Sequence, residues 1–176
     1  MKILDKVGLF IASGGSGDPN SPKIKCLSNV AVQKGIEYIL PDWRYLPCDP
    51  EPRLKDLEER TDQKFESLVL AGSSLGGYVC SVYAHKRKVD GLFLLTPILG
   101  KDGYKDDSPK PMSEDTVIIA ASEDEYTNAK DVIAFAKTIN ASLHLLSGNH
   151  SLENHSEFIA REFGAFIDRI KSRKTF

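Results

Sequence analysis

The sequence predicts an α/β fold: an open, mostly parallel, six-stranded sheet with helices on both faces, in one domain over residues 1–176. Three observations lead there. Short runs rich in Val, Ile and Leu alternate along the chain with longer segments whose apolar residues recur at helical spacing. Most of the short runs lack polar alternation, as strands covered on both faces do, and that is the pattern of a parallel sheet. The length suits one domain that buries roughly 70% of its extended surface, enough for a core without staples.

Taken in order, the first predicted strand is Val7–Ala12, followed by a Gly-rich turn, Ser13-Gly14-Gly15-Ser16-Gly17. Ser21-Pro22 then supplies an N-cap and a first-turn proline, with Ile24, Leu27 and Ala31 on one helical face and Gly35 as the stop. A second strand, Ile36–Leu40, leads to a shorter polar helix at Arg53–Thr61. The third strand, Ser67–Ala71, runs into Gly72-Ser73-Ser74-Leu75-Gly76 and a helix over Leu75–Arg87, with Val79, Val82 and Tyr83 at helical offsets. After strand Gly91–Leu95 the rhythm breaks: Thr96–Asp115 is polar and rich in Gly and Pro. Loops this long in compact domains are functional or mobile, and this one leaves the carboxyl end of a strand, where open sheets bind ligands. Strand Val117–Ala121, helix Asn128–Asn140, strand Ser142–Leu146 and a final helix at about Glu153–Lys171 complete the pattern.

Composition excludes several classes of function. The net charge of −2 speaks against a nucleic-acid partner, which needs clustered Lys and Arg. The two densest basic stretches, Lys86-Arg87-Lys88 and Lys171-Ser172-Arg173-Lys174, fall at predicted helix ends, where positive charge complements the helix dipole. Cys26, Cys48 and Cys80 cannot all pair and have no metal-ligand spacing, so reduced, partly buried thiols are expected. No run approaches the roughly 18 apolar residues of a membrane span. Val7–Ala12 is short and enters a Gly-rich turn, unlike a signal peptide, so a soluble, cytoplasmic protein without a membrane partner is expected.

The chemistry gathers at the ends of the strands. Gly72-Ser73-Ser74-Leu75-Gly76 is G-x-S-x-G between a strand and a helix, the setting of a nucleophile elbow. Such a serine sits at a strained position on a sharp turn, and the residues two before and two after it crowd each other, so both must be small. Gly72 and Gly76 meet that demand. A serine hydroxyl needs a base within hydrogen-bond reach. Among His85, His144, His150 and His155, His150 follows the last strand on a loop at its carboxyl end and is the preferred base, with His155 the alternative. The loop after Val117–Ala121 offers Glu123, Asp124 and Glu125 as the acid that orients the imidazole; Asp124 is preferred and the two glutamates are fallbacks. Twenty-six positions separate Asp124 from His150, room for one helix and one strand, so both reach the same edge of the sheet. An oxyanion would be held by the Leu75 N–H, next to the nucleophile, and by a second N–H from the Ser13–Gly17 loop. That loop is not a phosphate-binding G-x-x-x-x-G-K-[ST] motif, and Asp18 and Pro19 stand before the helix.

Together these segments resemble the α/β-hydrolase superfamily, especially its small, capless bacterial members assigned as esterases. The likeness rests on Leu9–Gly15, Pro41-Asp42, Leu70–Gly77, Ala121–Asp124 and Gly148–Ser151. It implies Ser74 as nucleophile, Asp124 as acid, His150 as base, and Gly15 and Leu75 as backbone oxyanion donors. Ser13 stands where many relatives have histidine, and Gly15 where they often have a bulky residue. Only Thr96–Asp115 is long enough to serve as a lid, so a minimal fold with no cap domain is expected.

The function expected is hydrolysis of a small-molecule ester or thioester through an acyl-enzyme, a mechanism that needs no metal or organic cofactor, with Trp43, Tyr45 and Leu99 as candidate substrate-binding residues. Two alternatives stand beside it: a non-catalytic protein of the same fold that binds a ligand or a protein partner, and an amidase or peptidase.

Overall fold

A computed structural model describes residues 7–62, 65, 67–101, 104 and 109–174. The strands are β1 (Val7–Ala12), β2 (Tyr38–Ile39), β3 (Ser67–Ser73), β4 (Gly91–Leu95), β5 (Thr116–Ala121) and β6 (Ser142–Leu146). They form one sheet in the order β2-β1-β3-β4-β5-β6, and every pairing in it is parallel. The helices are α1 (Pro22–Gln33), α2 (Pro50–Thr61), α3 (Leu75–Lys86), α4 (Ala129–Thr138) and α5 (Ser156–Lys174).

Alternation along the strands divides the core in two. Leu9, Ile11, Val69, Ala71, Phe93 and Ile119 face the layer of α1 and α5, where Phe93 meets the Phe163 ring at 4.8 Å. Phe10, Leu70, Leu92, Leu94 and Ile118 face the other layer, with Val79 and Tyr83 of α3, Leu57 of α2 and Val132 of α4. Successive strand side chains point to opposite faces, so a strand apolar at every position needs both layers.

The departures from expectation have local causes. β2 is shorter than Ile36–Leu40 because the Ile36 N–H bonds back to Ala31 O at 3.0 Å, so that residue closes α1 instead of pairing in the sheet. β3 runs two residues past Ala71, with Gly72 paired to Leu94 and Ser73 to Leu95. α2 starts before Arg53: the Asp49 carboxylate accepts the Glu51 N–H at 2.9 Å and Pro50 fits the first turn. The stretch Glu153–His155 is a 3-10 turn, and α5 begins at Ser156. β6 is an edge strand with Leu145 40% exposed, so it is not covered on both faces as most of the other strands are.

The basic run at the end of α3 is spread over surface ion pairs, Lys86 with Glu58, Arg87 with Asp62 and Lys88 with Glu114. Cys80 is buried as expected, whereas Cys48 is exposed. Residues 102–103 and 105–108 of the Thr96–Asp115 segment lie outside the described residues. Among the described residues there is no lid domain, and no helix is long and apolar enough to cross a membrane.

Candidate active site

Ser74 is the single residue between β3 and α3, with φ 56° and ψ −120°. A side-chain-bearing residue at such a φ is strained and persists only where its surroundings hold it. Here the Ser74 N–H donates to Leu95 O at 2.9 Å, and Ser74 O accepts the N–H groups of Tyr78 and Ile98, each at 3.2 Å. The flanking glycines are required by contact. A Cβ on Gly72 would stand 2.5 Å from Gly76 O, and one on Gly76 would stand 2.3 Å from Ala12 O.

His150 lies on the turn after β6. Its Nε2 is 2.9 Å from Ser74 Oγ and its Nδ1 is 2.8 Å from Asp124 Oδ2. Facing a carboxylate, Nδ1 carries the proton, which leaves the Nε2 lone pair turned toward the hydroxyl. The other Asp124 oxygen accepts the N–H groups of Tyr126 at 2.8 Å and Thr127 at 3.1 Å, and the side chain is only 3% exposed. Of the two fallback acids, Glu125 accepts the backbone N–H of His150 at 3.1 Å, and Glu123 is exposed. His155 instead meets Ser147 O at 2.7 Å, His144 faces Glu162, and His85 accepts the Lys110 N–H.

Two cations beside this chain of groups were not singled out by sequence reasoning. Lys23, in the first turn of α1, donates to Thr96 Oγ1 and to His150 O, both at 2.7 Å. Thr96, itself at φ 40°, also donates to His150 O at 3.3 Å. Burial brings the Lys23 ammonium down to about 8, although the charges of Asp124 and Glu125 pull the other way. The imidazole of His150 is lowered below its ordinary value, first by burial and then by the Lys23 charge, against the pull of Asp124. Arg53, in the first turn of α2, donates to Gly14 O at 2.6 Å, Gly15 O at 2.8 Å and Pro47 O at 3.2 Å. The loop it holds lies against the nucleophile: a Cβ on Gly14 would be 3.2 Å from Ser74 Cβ, whereas one on Gly15 would face Cys48 Sγ at 3.4 Å.

The candidate substrate residues scatter. Trp43 is 1% exposed, lies tilted against the Phe10 ring, carries the Arg53 guanidinium on its face and donates its indole N–H to Asp56. It packs the core and has no face for a ligand, which corrects the expectation. Tyr45 is 85% exposed, and Leu99 lines a cavity of about 250 Å³ with Pro109 and Phe135. A larger cavity, about 540 Å³, lies between α2 and α3, with Pro50, Pro52, Leu54, Tyr78, Val79 and Val82 among its walls. Among the described residues no group of three or more His, Cys, Asp and Glu side chains is arranged to hold a metal ion.

No family model matches the sequence, and no curated protein does. Solved structures do. A protein from Xanthomonas campestris pv. campestris, assigned to the hydrolases of the alpha/beta superfamily, superposes with a TM-score of 0.81 at 28% identity, over 93% of this chain and 99% of its own. The chain has the α/β-hydrolase fold. Two further solved structures match the same architecture at lower identity. An α/β serine hydrolase without a lid from Xanthomonas campestris matches at TM-score 0.76 and 16% identity, over 94% of this chain and 83% of its own. Est1E from Butyrivibrio proteoclasticus, solved with ferulic acid bound, matches at 0.74 and 14%, over 96% of this chain and 91% of its own.

Proposed function

We propose that this α/β-hydrolase-fold chain is a serine hydrolase that cleaves a small ester or thioester through an acyl-enzyme. The observation that carries the reading is the continuous chain from Ser74 Oγ to His150 Nε2 at 2.9 Å and from His150 Nδ1 to Asp124 Oδ2 at 2.8 Å. As Oγ bonds to the substrate carbonyl carbon, its proton passes to Nε2, and Asp124 stabilises the imidazolium that forms. The carbonyl electron pair moves onto oxygen. That oxyanion meets the Leu75 N–H, which heads α3 without an intrahelical partner, and the Gly15 N–H of the loop beside Ser74. Collapse expels the alcohol or thiol with the proton from Nε2. Water, deprotonated by the same nitrogen, then attacks the acyl carbon, and collapse releases the acid and returns the proton to Oγ.

Tyr78 lies one helical turn from Ser74 and forms part of the wall of the 540 Å³ cavity, where apolar Pro50, Pro52, Leu54, Val79 and Val82 stand beside Asp49, Glu51, His85 and Lys86. The esterase and hydrolase names among the structural neighbours favour the same chemistry. The test is turnover of p-nitrophenyl esters and acyl thioesters of graded chain length by the wild type, Ser74→Ala and His150→Gln. Turnover that both substitutions abolish is expected. Turnover that survives Ser74→Ala would refute the assignment.

A further inference from the structure

Arg53 is 1% exposed, and its hydrogen bonds run to three main-chain carbonyl oxygens. A guanidinium stays protonated in any protein environment, so a full positive charge is buried here against peptide groups. Burial of a cation is weak evidence for a stabilising role. What it holds is more telling. Two of the three carbonyls belong to Gly14 and Gly15, the loop that lies against Ser74.

Peptide geometry converts that grip into an aim. The described chain has no cis peptide bond, so in each peptide plane the C=O of one residue points opposite to the N–H of the next. Holding Gly14 O on the Arg53 side therefore turns the Gly15 N–H to the other side, and holding Gly15 O does the same for the Ser16 N–H. The Gly17 N–H also reaches Gly14 O at 2.9 Å, which tightens the turn from within. There is an electrostatic consequence too. A charged donor on a carbonyl draws electron density from that peptide, so its N–H becomes a stronger donor. The positive charge then stands one peptide behind the point where negative charge develops, in a site of low dielectric.

We propose that Arg53 is the positioning residue of the oxyanion hole, setting the direction and the donor strength of the Gly15 N–H through the carbonyl of Gly14, while its hold on Gly15 O fixes the next peptide of the same loop. The inference rests on the serine-hydrolase reading above and adds the group that prepares its anion site.

The test uses purified full-length Arg53→Met and Arg53→Lys, with Lys55→Ala as an exposed control on the same helix, each checked for folding by thermal denaturation. Losing an oxyanion donor outright costs about 10²–10³-fold in kcat. A donor that is present but misaimed and unpolarised should cost about tenfold or more. For Arg53→Met we expect such a fall in kcat, with KM changed less than about threefold. Affinity for an alkyl boronic acid, whose adduct with the serine is tetrahedral and anionic, should weaken by the same factor. Arg53→Lys keeps the charge but gathers its donors on a single nitrogen, so it should recover part of both losses, and Lys55→Ala should match the wild type. A folded Arg53→Met with wild-type kcat and boronate affinity would overturn the proposal. Should Arg53→Met not fold, Arg53→Lys decides: a kcat and boronate affinity equal to the wild type would overturn it. Failure of the underlying reading looks different, since activity would then survive Ser74→Ala.

Discussion

Lys23 gives the imidazole of His150 two constraints at once. Its Nζ holds the His150 carbonyl at 2.7 Å, and its charge opposes protonation of the ring. A general base works only when unprotonated, so kcat/KM should fall on the acid side with an apparent pKa below about 6.5, the ordinary imidazole value. Over that range Lys23, at about 8, remains charged. In Lys23→Met the opposing charge is gone and the ring binds a proton more readily. The acid limb should therefore move to higher pH, and kcat should fall several-fold as the histidine turn loosens; a Lys23→Arg variant should keep the limb in place. A pH–rate profile checks this, and an unmoved limb in Lys23→Met would remove Lys23 from the account. Asp124→Asn retains the shape of the acid but offers Nδ1 an uncharged partner, and should lower kcat by about 10⁴-fold in single-substrate kinetics. Ser74, Asp124 and His150 could be picked out because each belongs to a short segment placed just past a strand. Lys23 and Arg53 could not. The carbonyl oxygens of His150 and Gly14 that they hold lie 127 and 39 residues away in sequence, and a carbonyl has no residue identity for a pattern to record.

At the level of elements, the elbow is where local sequence and tertiary contact agree most closely. Gly76 comes so near the end of β1 that a methyl group would overlap Ala12 O. Since the obstacle is backbone, Gly76→Ala should cost more than about 2 kcal/mol in denaturant unfolding and disturb Ser74. Gly164, inside α5, is the contrasting case. A Cβ there meets only the flexible end of Lys34 at 3.4 Å and Val30 at 3.9 Å. Gly164→Ala should stabilise by about 0.5–1 kcal/mol, because it removes a glycine from a helix interior. Where element ends were misjudged from sequence, capping and edge position explain the error. The cap at Asp49 lies four residues before Arg53, where a purely polar stretch gives no apolar stripe to mark the start. The β2 edge starts late because Ile36 is engaged with the end of α1.

For the molecule as a whole, the strands apolar at successive positions made the two-layer architecture legible, since such strands cannot leave a face open. Their order in the sheet was not legible: β1 lies between β2 and β3, a crossover that no local pattern encodes. The two cores have different duties. One face, where the rings of Phe93, Phe163 and Phe166 pack as a group under α5, meets the site through Lys23 of α1; the other carries α2 and α3, from which Arg53 and the elbow project toward the site. Phe163→Ala should thus cost about 3–5 kcal/mol of stability while the folded fraction keeps its kcat. Folding should turn Ser74 from an inert alcohol into a nucleophile, and covalent trapping reads that directly. Incubation of the native protein with a fluorophosphonate, followed by intact-mass and peptide analysis, should give one adduct, on the peptide bearing Ser74. The urea-unfolded chain should give none, and labelling of His150→Gln should be slower by at least about 100-fold. A folded wild type that takes up no label, or a His150→Gln that labels as fast as the wild type, would contradict the claim.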